Sequence, residues 1–233
     1  MKTKLLAAAA VFAVAGLGAT SALASTTIFN AAHTESVTIS SVQLQPTPAF
    51  PGFASELMPA GFTMIDTFDS AVASGFSVSG GNIIAAPGAS CCDAEPPGDT
   101  TNFESVEGSD NPFTLTDTHG ALKAISFYMG SPDDYNHIAL TINGGPGPII
   151  LSGTDIWGGG EFHGDQTVGF LVTYTFSPKT VHSLTFSSTS RSFEFDNLAG
   201  ISVPEPASWA LMIMGFGAAG AMLRGKRRQG VTA

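Results

Sequence analysis

The chain has 233 residues, of which 27 are glycine and only 12% are charged, and its net charge at neutral pH is −10. Apart from Lys123, Lys179 and Arg191, the cations sit at the two ends, so the stretch between Ser25 and Val203 sets three cations against eighteen acidic residues. A surface of that sign repels nucleic acid and anionic lipid, and two cysteines are too few for a disulfide framework.

The first predicted element is a signal peptide over residues 1–24. Lys2 and Lys4 precede an apolar run from Leu5 to Leu17, and Ala22-Leu23-Ala24 forms a small-x-small exit. That layout directs export, with signal peptidase cutting after Ala24. Residues 25–61 form an N-terminal arm or additional strands, Val37 and Ile39 opening the first of these.

From residue 62 to 203 the pattern is period two, which marks half-buried strands. Phe113 and Leu115 alternate with threonines; Ile125, Phe127 and Met129 share a face, as do Ile138, Leu140 and Ile142. Val168, Phe170, Val172, Tyr174 and Phe176 make the longest such series, and Phe193 and Phe195 close it, placing Glu194 and Asp196 together on the opposite face. Short strands punctuated by Gly, Pro, Asn and Asp turns predict an all-β, jelly-roll-like β-sandwich. Cys91 and Cys92 are adjacent in a turn-rich loop of an oxidising compartment, so they either close a vicinal disulfide or pair with another chain.

Enzyme signatures are absent from this body: it has no HExxH, no GxSxG, no P-loop and no dinucleotide fingerprint. The five histidines show no metal-ligand spacing. Trp157 and Asp155, in a glycine-rich loop, and Tyr135 and Asn136, in a polar one, are candidate glycan contacts. The competing role for both rings is to close the ends of the core.

The tail is the most specific segment. Pro204-Glu205-Pro206 blocks a helix on its upstream side. The apolar run from Trp209 to Leu223 then spans about 22 Å as a helix, short for a bilayer core of about 30 Å. Arg224, Lys226, Arg227 and Arg228 form a basic stop that favours the cytoplasmic side. Residues 204–228, through Pro204, Glu205, Pro206, Trp209, Ala210 and the basic tail, resemble the PEP-CTERM sorting signal of Gram-negative surface proteins. The resemblance implies a short transmembrane helix over 209–223, recognition by an exosortase, and delivery to the cell surface or extracellular matrix. It gives the chain no activity of its own.

A second resemblance covers roughly residues 66 to 200. The series from Ser126 to Asn136, then Gly153-Thr154-Asp155, Leu184 to Ser188 and Phe193 to Asn197, is similar to the carbohydrate-binding-module-like jelly-roll ectodomains of PEP-CTERM proteins. In such folds the first and last strands lie side by side and share a structural calcium ion. The resemblance therefore implies a calcium site from Asp66, Asp69, Glu194 and Asp196, the alternative being a solvated acidic edge. The expected role is non-catalytic contact with extracellular polysaccharide, or adhesion. A polysaccharide-acting enzyme and a structural surface-layer component are the other two classes.

Overall fold

The computed structural model describes residues 22–29, 36–45, 57–86, 88, 93–108, 111–119, 122–143, 147–157, 163–203 and 206–229. The chain divides into two compact units, Met1–Ser202 and Val203–Ala233. The signal segment lies outside the described residues up to Ser21; Ala22–Ala24, expected to end a signal helix, instead begin a strand.

The first unit is mainly β. Its described strands are β1 (Ala22–Phe29), β2 (Ser36–Gln45), β3 (Thr63–Asp66), β4 (Phe76–Ser79), β5 (Asn82–Ile84), β6 (Phe103–Val106) and β7 (Phe113–Asp117). These are followed by β8 (Leu122–Met129), β9 (Asn136–Ile142), β10 (Ile149–Ser152), the short helix α1 (Gly153–Trp157), β11 (Gly169–Ser177), β12 (Val181–Ser188) and β13 (Phe193–Ser202). All thirteen join one hydrogen-bonded sheet.

That sheet is antiparallel and curls into a half-barrel. One arm runs β1-β2-β11-β8-β13, with β3 and β6 side by side along β13 and β5 beyond β6. The other runs β10-β9-β12-β7-β4. The arms are joined only where Val181 of β12 meets Leu122 of β8. The sequence predicted a sandwich of two sheets; the hydrogen bonding is instead continuous through that pair. β1 also carries a register shift between Leu23 and Thr26, so Thr26–Phe29 form a ladder on β2 separate from Ala22 and Leu23.

The core lies between the arms. The period-two faces read from the sequence are the buried ones: Ile125, Phe127, Met129, Ile138, Leu140, Phe170, Val172, Tyr174, Phe193 and Phe195 are all 0% exposed. Phe127 and Phe195 of the first arm meet Phe186 of the second at ring-centroid distances of 5.3 and 4.3 Å, the former edge-on and the latter stacked. Phe68 and Phe113 extend this cluster through edge contacts of 5.7 and 5.8 Å. Offset and edge-on ring pairs add about 0.5–1.5 kcal/mol each beyond simple area burial.

The first arm is covered on both faces. On its outer side Val42, Leu44, Leu57, Tyr128 and Leu171 form a second apolar cluster. Gly169 sits there because a Cβ would overlap the Tyr128 phenol oxygen. Ser126 and Thr173, which alternate as polar outward residues, are also buried, and Ser126 Oγ satisfies itself by donating to the Val172 carbonyl at 2.9 Å.

The second unit holds one described helix, α2 (Pro206–Gln229). It is longer than the predicted 209–223 at both ends. Proline is acceptable at its first position, where the missing N–H has no partner to lose, and the basic residues continue as good helix formers. Its 24 residues extend roughly 36 Å, but the apolar part is diluted by Gly215, Gly217, Gly220 and alanines. No helix among the described residues is long and apolar enough to cross a membrane, which departs from the expected transmembrane helix. Trp209, Leu211, Ile213, Phe216 and Met222 are nevertheless all more than half exposed.

Replacing Phe195 by alanine removes the ring that links β13 to both arms. Urea unfolding monitored by fluorescence should show a loss of about 3–5 kcal/mol, against less than about 0.5 kcal/mol for alanine at exposed Ile150.

Candidate functional site

Two polar features stand out on the body, and both are built on the outer face of β13. Glu194 and Asp196 point there together, as the alternation with Phe193 and Phe195 requires. The segment from Asp93 to Thr101 lies over them: the Tyr128 hydroxyl donates to the Pro97 carbonyl at 2.5 Å, and the Ser105 hydroxyl, across from Glu194, donates to Asp93 at 2.7 Å.

Beneath this segment Asp99 (2% exposed) faces Asp196 (0%). The Thr101 hydroxyl donates to Asp99 at 2.8 Å and lies 3.3 Å from an Asp196 oxygen. Asn197, at φ 57°, sends its backbone and side-chain N–H groups to the two Asp196 oxygens, each at 2.6 Å. Its own side-chain oxygen accepts from Leu57 N at 2.8 Å. The second Asp99 oxygen is buried with no donor. Burial raises both carboxyls above the usual aspartate range, and for Asp196 the neighbouring Asp99 adds to it. Two carboxyls facing each other out of water disfavour a second charge, so the pair is biased toward holding a proton.

A separate acidic pair lies at the β3–β6 end. Asp66 is 6% and Glu104 is 1% exposed. Asp66 accepts from Phe68 N at 2.8 Å, and Glu104 accepts from Asn82 N. Burial raises both, Glu104 to about 7 with Asp66 contributing.

The second feature is an open polar pocket of about 110 Å³ lined by Ser131, Asp133, Tyr135, Gly164, Gln166, Arg191, Ser192 and Glu194. Its floor is organised by Asp133, which is 2% exposed. One Asp133 oxygen accepts from Ser131 Oγ at 2.9 Å and from Tyr135 Oη at 2.8 Å; the other accepts from Gly164 N. Gly153 packs against this turn, and a Cβ there would come within 2.7 Å of the Asp133 carbonyl. Glu194 is held by Ser192 Oγ, and burial pushes its carboxyl up to about 7, with the Asp93 charge adding to the rise. Burial, then Asp133, drives the Tyr135 phenol upward. A larger cavity of about 330 Å³ between Thr63, Ile65, Phe76 and Ile201 carries no titratable side chain.

The structure disperses the predicted calcium ligands. β3 and β13 do pair, with Asp66 opposite Leu198. Asp66 nevertheless stands with Glu104, Asp196 with Asp99, and Glu194 in the polar pocket, while Asp69 accepts from Asn102 N at 3.0 Å. Among the described residues no group of three or more His, Cys, Asp or Glu side chains is arranged to hold a metal ion. The four therefore do not form one ligand set.

The predicted glycan contacts divide. Tyr135 lines the pocket and Asn136, 1% exposed, lies beneath it in sequence, with a buried side-chain oxygen that has no partner. Trp157 is a core residue, 6% exposed, packed on Phe170 at 4.6 Å, and its carbonyl accepts from Ser41 Oγ at 2.7 Å. Asp155 caps α1, accepting from Ser152 Oγ at 3.2 Å. These two serve the fold because α1 tucks the glycine-rich loop's start into the core. Asp99, Glu104 and Gln166 were not singled out from sequence, and Asp133 entered only as part of the polar loop that carries Tyr135 and Asn136. The only signal for Asp99 was its Asp-x-Thr turn, whose Thr101 N–H returns to Asp99 at 2.9 Å. Cys91, Cys92, Pro204 and Glu205 lie outside the described residues.

These features define a mainly β domain with buried carboxyls raised above their usual range and a small polar pocket, followed by a separate helical tail. Residues 202–228 match the PEP-CTERM protein-sorting motif. The chain thus carries the mark of an exported protein that is processed by exosortase and sorted to the cell surface. Comparison with curated proteins returns no match. Among solved structures the body is distantly similar to an exo-beta-1,3-galactanase from Phanerochaete chrysosporium. In complex with beta-1,3-galactotriose that enzyme aligns at 15% identity and TM-score 0.35, over 62% of this chain and 30% of the other. With galactose the values are 13% and 0.35, over 72% and 41%. The chain spans less than half the length of that enzyme.

The raised carboxyls fix the sign of the pH dependence. A group whose folded pKa lies above its unfolded value binds extra protons in the folded state, so its contribution is complete below the unfolded pKa and is lost as pH rises through the folded one. Stability should therefore fall as pH rises from about 4 toward about 9, the window set by the raised carboxyls. Asp196→Asn, which offers Asp99 a permanent N–H donor, should flatten the alkaline part of that curve. Denaturant titrations at a series of pH values check both.

Proposed function

We propose that the mature body is a non-catalytic, surface-displayed module, jelly-roll-like in the way its two arms face each other, which contacts extracellular polysaccharide through the Asp133–Tyr135–Glu194 pocket. The observation that carries this reading is the pocket itself: an aromatic ring, an amide, a guanidinium, hydroxyls and two carboxyls converge on a space that admits the edge of one sugar. Fixed polar groups of that kind orient hydroxyl-rich ligands. Signal peptidase and exosortase are the processing partners, and the finished protein works in adhesion or matrix contact at the cell surface.

The same geometry weighs against hydrolysis. Of the two carboxyls in the pocket, Asp133 already receives three hydrogen bonds. A nucleophile or general base needs a lone pair directed at the substrate or its water, and Asp133 is instead committed to holding the turn. The structural surface-layer role has no specific observation in its favour.

A glycan array probed with the mature protein should give binding without product release. Tyr135→Ala should weaken that binding about tenfold, the loss of roughly one good polar and stacking contact. Steady turnover of any bound polysaccharide would overturn the non-catalytic reading.

Sorting has its own check. Mass spectrometry of the secreted protein should find a C-terminus upstream of Arg224, and alanine at Pro204, Glu205 and Pro206 together should leave the chain unprocessed in the inner membrane fraction. Secreted protein ending beyond Arg228 would contradict tail processing.

A further inference from the structure

We infer that the pocket selects a neutral sugar, and that Glu194 makes the selection by donating a hydrogen bond from its protonated carboxyl. This rests on the polysaccharide-contact reading above and deepens it. Recognition of a sugar hydroxyl pair needs both acceptors and donors. The acceptor side is plentiful and fixed, since Asp133 is held by Ser131, Tyr135 and Gly164. The Tyr135 O–H is spent on Asp133. Gln166 and Arg191 bring N–H groups, and a protonated Glu194 adds the one O–H donor among the lining carboxyls.

The surroundings of Glu194 favour that protonated form. Asp93 adds its charge from the covering segment, and Asp133 and Arg191 share the pocket lining with Glu194. Asp134 acts on the Tyr135 phenol, with His163 3.8 Å from its carboxylate. An anionic sugar entering there meets Asp133 and the acidic body around it, with three cations against eighteen acidic residues between Ser25 and Val203. A neutral one requires only that Glu194 keep its proton. Burial pushes its carboxyl up to about 7, so the O–H donor is present in mildly acidic surroundings and gone in alkaline ones, where the carboxylate can only accept.

The test is calorimetric titration of the mature protein with cellohexaose, laminarihexaose and an oligogalacturonate, from about pH 5.5 to about pH 8.5. Binding of a neutral hexasaccharide should weaken at least about tenfold across that range. Glu194→Gln, which keeps an N–H donor at every pH, should bind throughout with little pH dependence. If that variant does not fold, Ser192→Ala serves: it removes a donor that favours the ionised carboxylate, so the midpoint of the profile should move to higher pH. A flat wild-type profile, an unchanged slope in Glu194→Gln, an unmoved midpoint in Ser192→Ala, or preference for the galacturonate overturns this inference while leaving polysaccharide contact standing. Absence of binding to glycans of every charge overturns both.

Discussion

The covering of the β13 outer face by the segment from Asp93 to Thr101 is the constraint on which both polar features depend. A sheet face left in water would let Glu194 and Asp196 ionise freely, and they would be an ordinary acidic edge of the kind that discourages strand pairing between molecules. Once the segment is laid across them, each carboxyl loses its hydration, and each finds another acid opposite: Asp99 for Asp196, Asp93 for Glu194. The Tyr128–Pro97 hydrogen bond anchors the cover at its middle. One end of the cover closes over a sealed pair and the other leaves a pocket open, and that difference separates a residue that holds the fold together from one that can meet a ligand.

The buried pair and the pocket carboxyl are thus two outcomes of the same physics. Desolvation alone disfavours charge, and a nearby like charge disfavours it further. At Asp196 these effects outweigh the donors from Asn197 on the other side of the balance, and the carboxyl is pushed up to about 9. At Glu194 the opening to solvent and the Ser192 donor moderate the shift, and the group titrates near neutrality. Replacing a raised carboxyl with a fixed N–H at position 196 and replacing a titrating donor with a fixed one at 194 are therefore the same chemical substitution with different readouts, stability in the first case and ligand affinity in the second.

Much of the framework was legible because period two is a local property. The faces carrying Phe127, Val172, Phe193 and Phe195 follow from alternation alone, and so does the shared direction of Glu194 and Asp196. What alternation could not supply was the identity of the partner on the polar side. Asp99 reaches Asp196 from 97 residues away in the chain through a turn-rich segment with no periodicity, and Asp133 reaches Gly164 in the same way. The resemblance to calcium-binding jelly rolls placed β3 beside β13 correctly but assigned their carboxylates to one ion. The register sets Asp66 opposite Leu198 rather than opposite Asp196, and Glu104, between Phe103 and Ser105 of β6, takes the place beside it. For Trp157 the structure takes the core-closing one of its two roles: the glycine-rich surrounding signals a loop, yet the Ser152–Asp155 contact starts a helical turn that delivers the indole to Phe170.

The two units also differ in how much of their function is written in the chain. The sorting motif is contiguous, and its recognition needs a proline-bounded segment, an apolar helix and a basic end in linear order. The body gathers its pocket from separate segments of the chain, and under the proposed polysaccharide contact its acidic charge bears on the class of ligand. An acidic module displayed beyond the membrane is repelled by acidic matrix polymers unless the contact site is neutral or neutralised. On the proposed reading, a Glu194 that keeps its proton in mildly acidic surroundings helps to meet that condition. In such a protein the address is fixed by sequence, and the affinity is set by the surroundings in which the address places it.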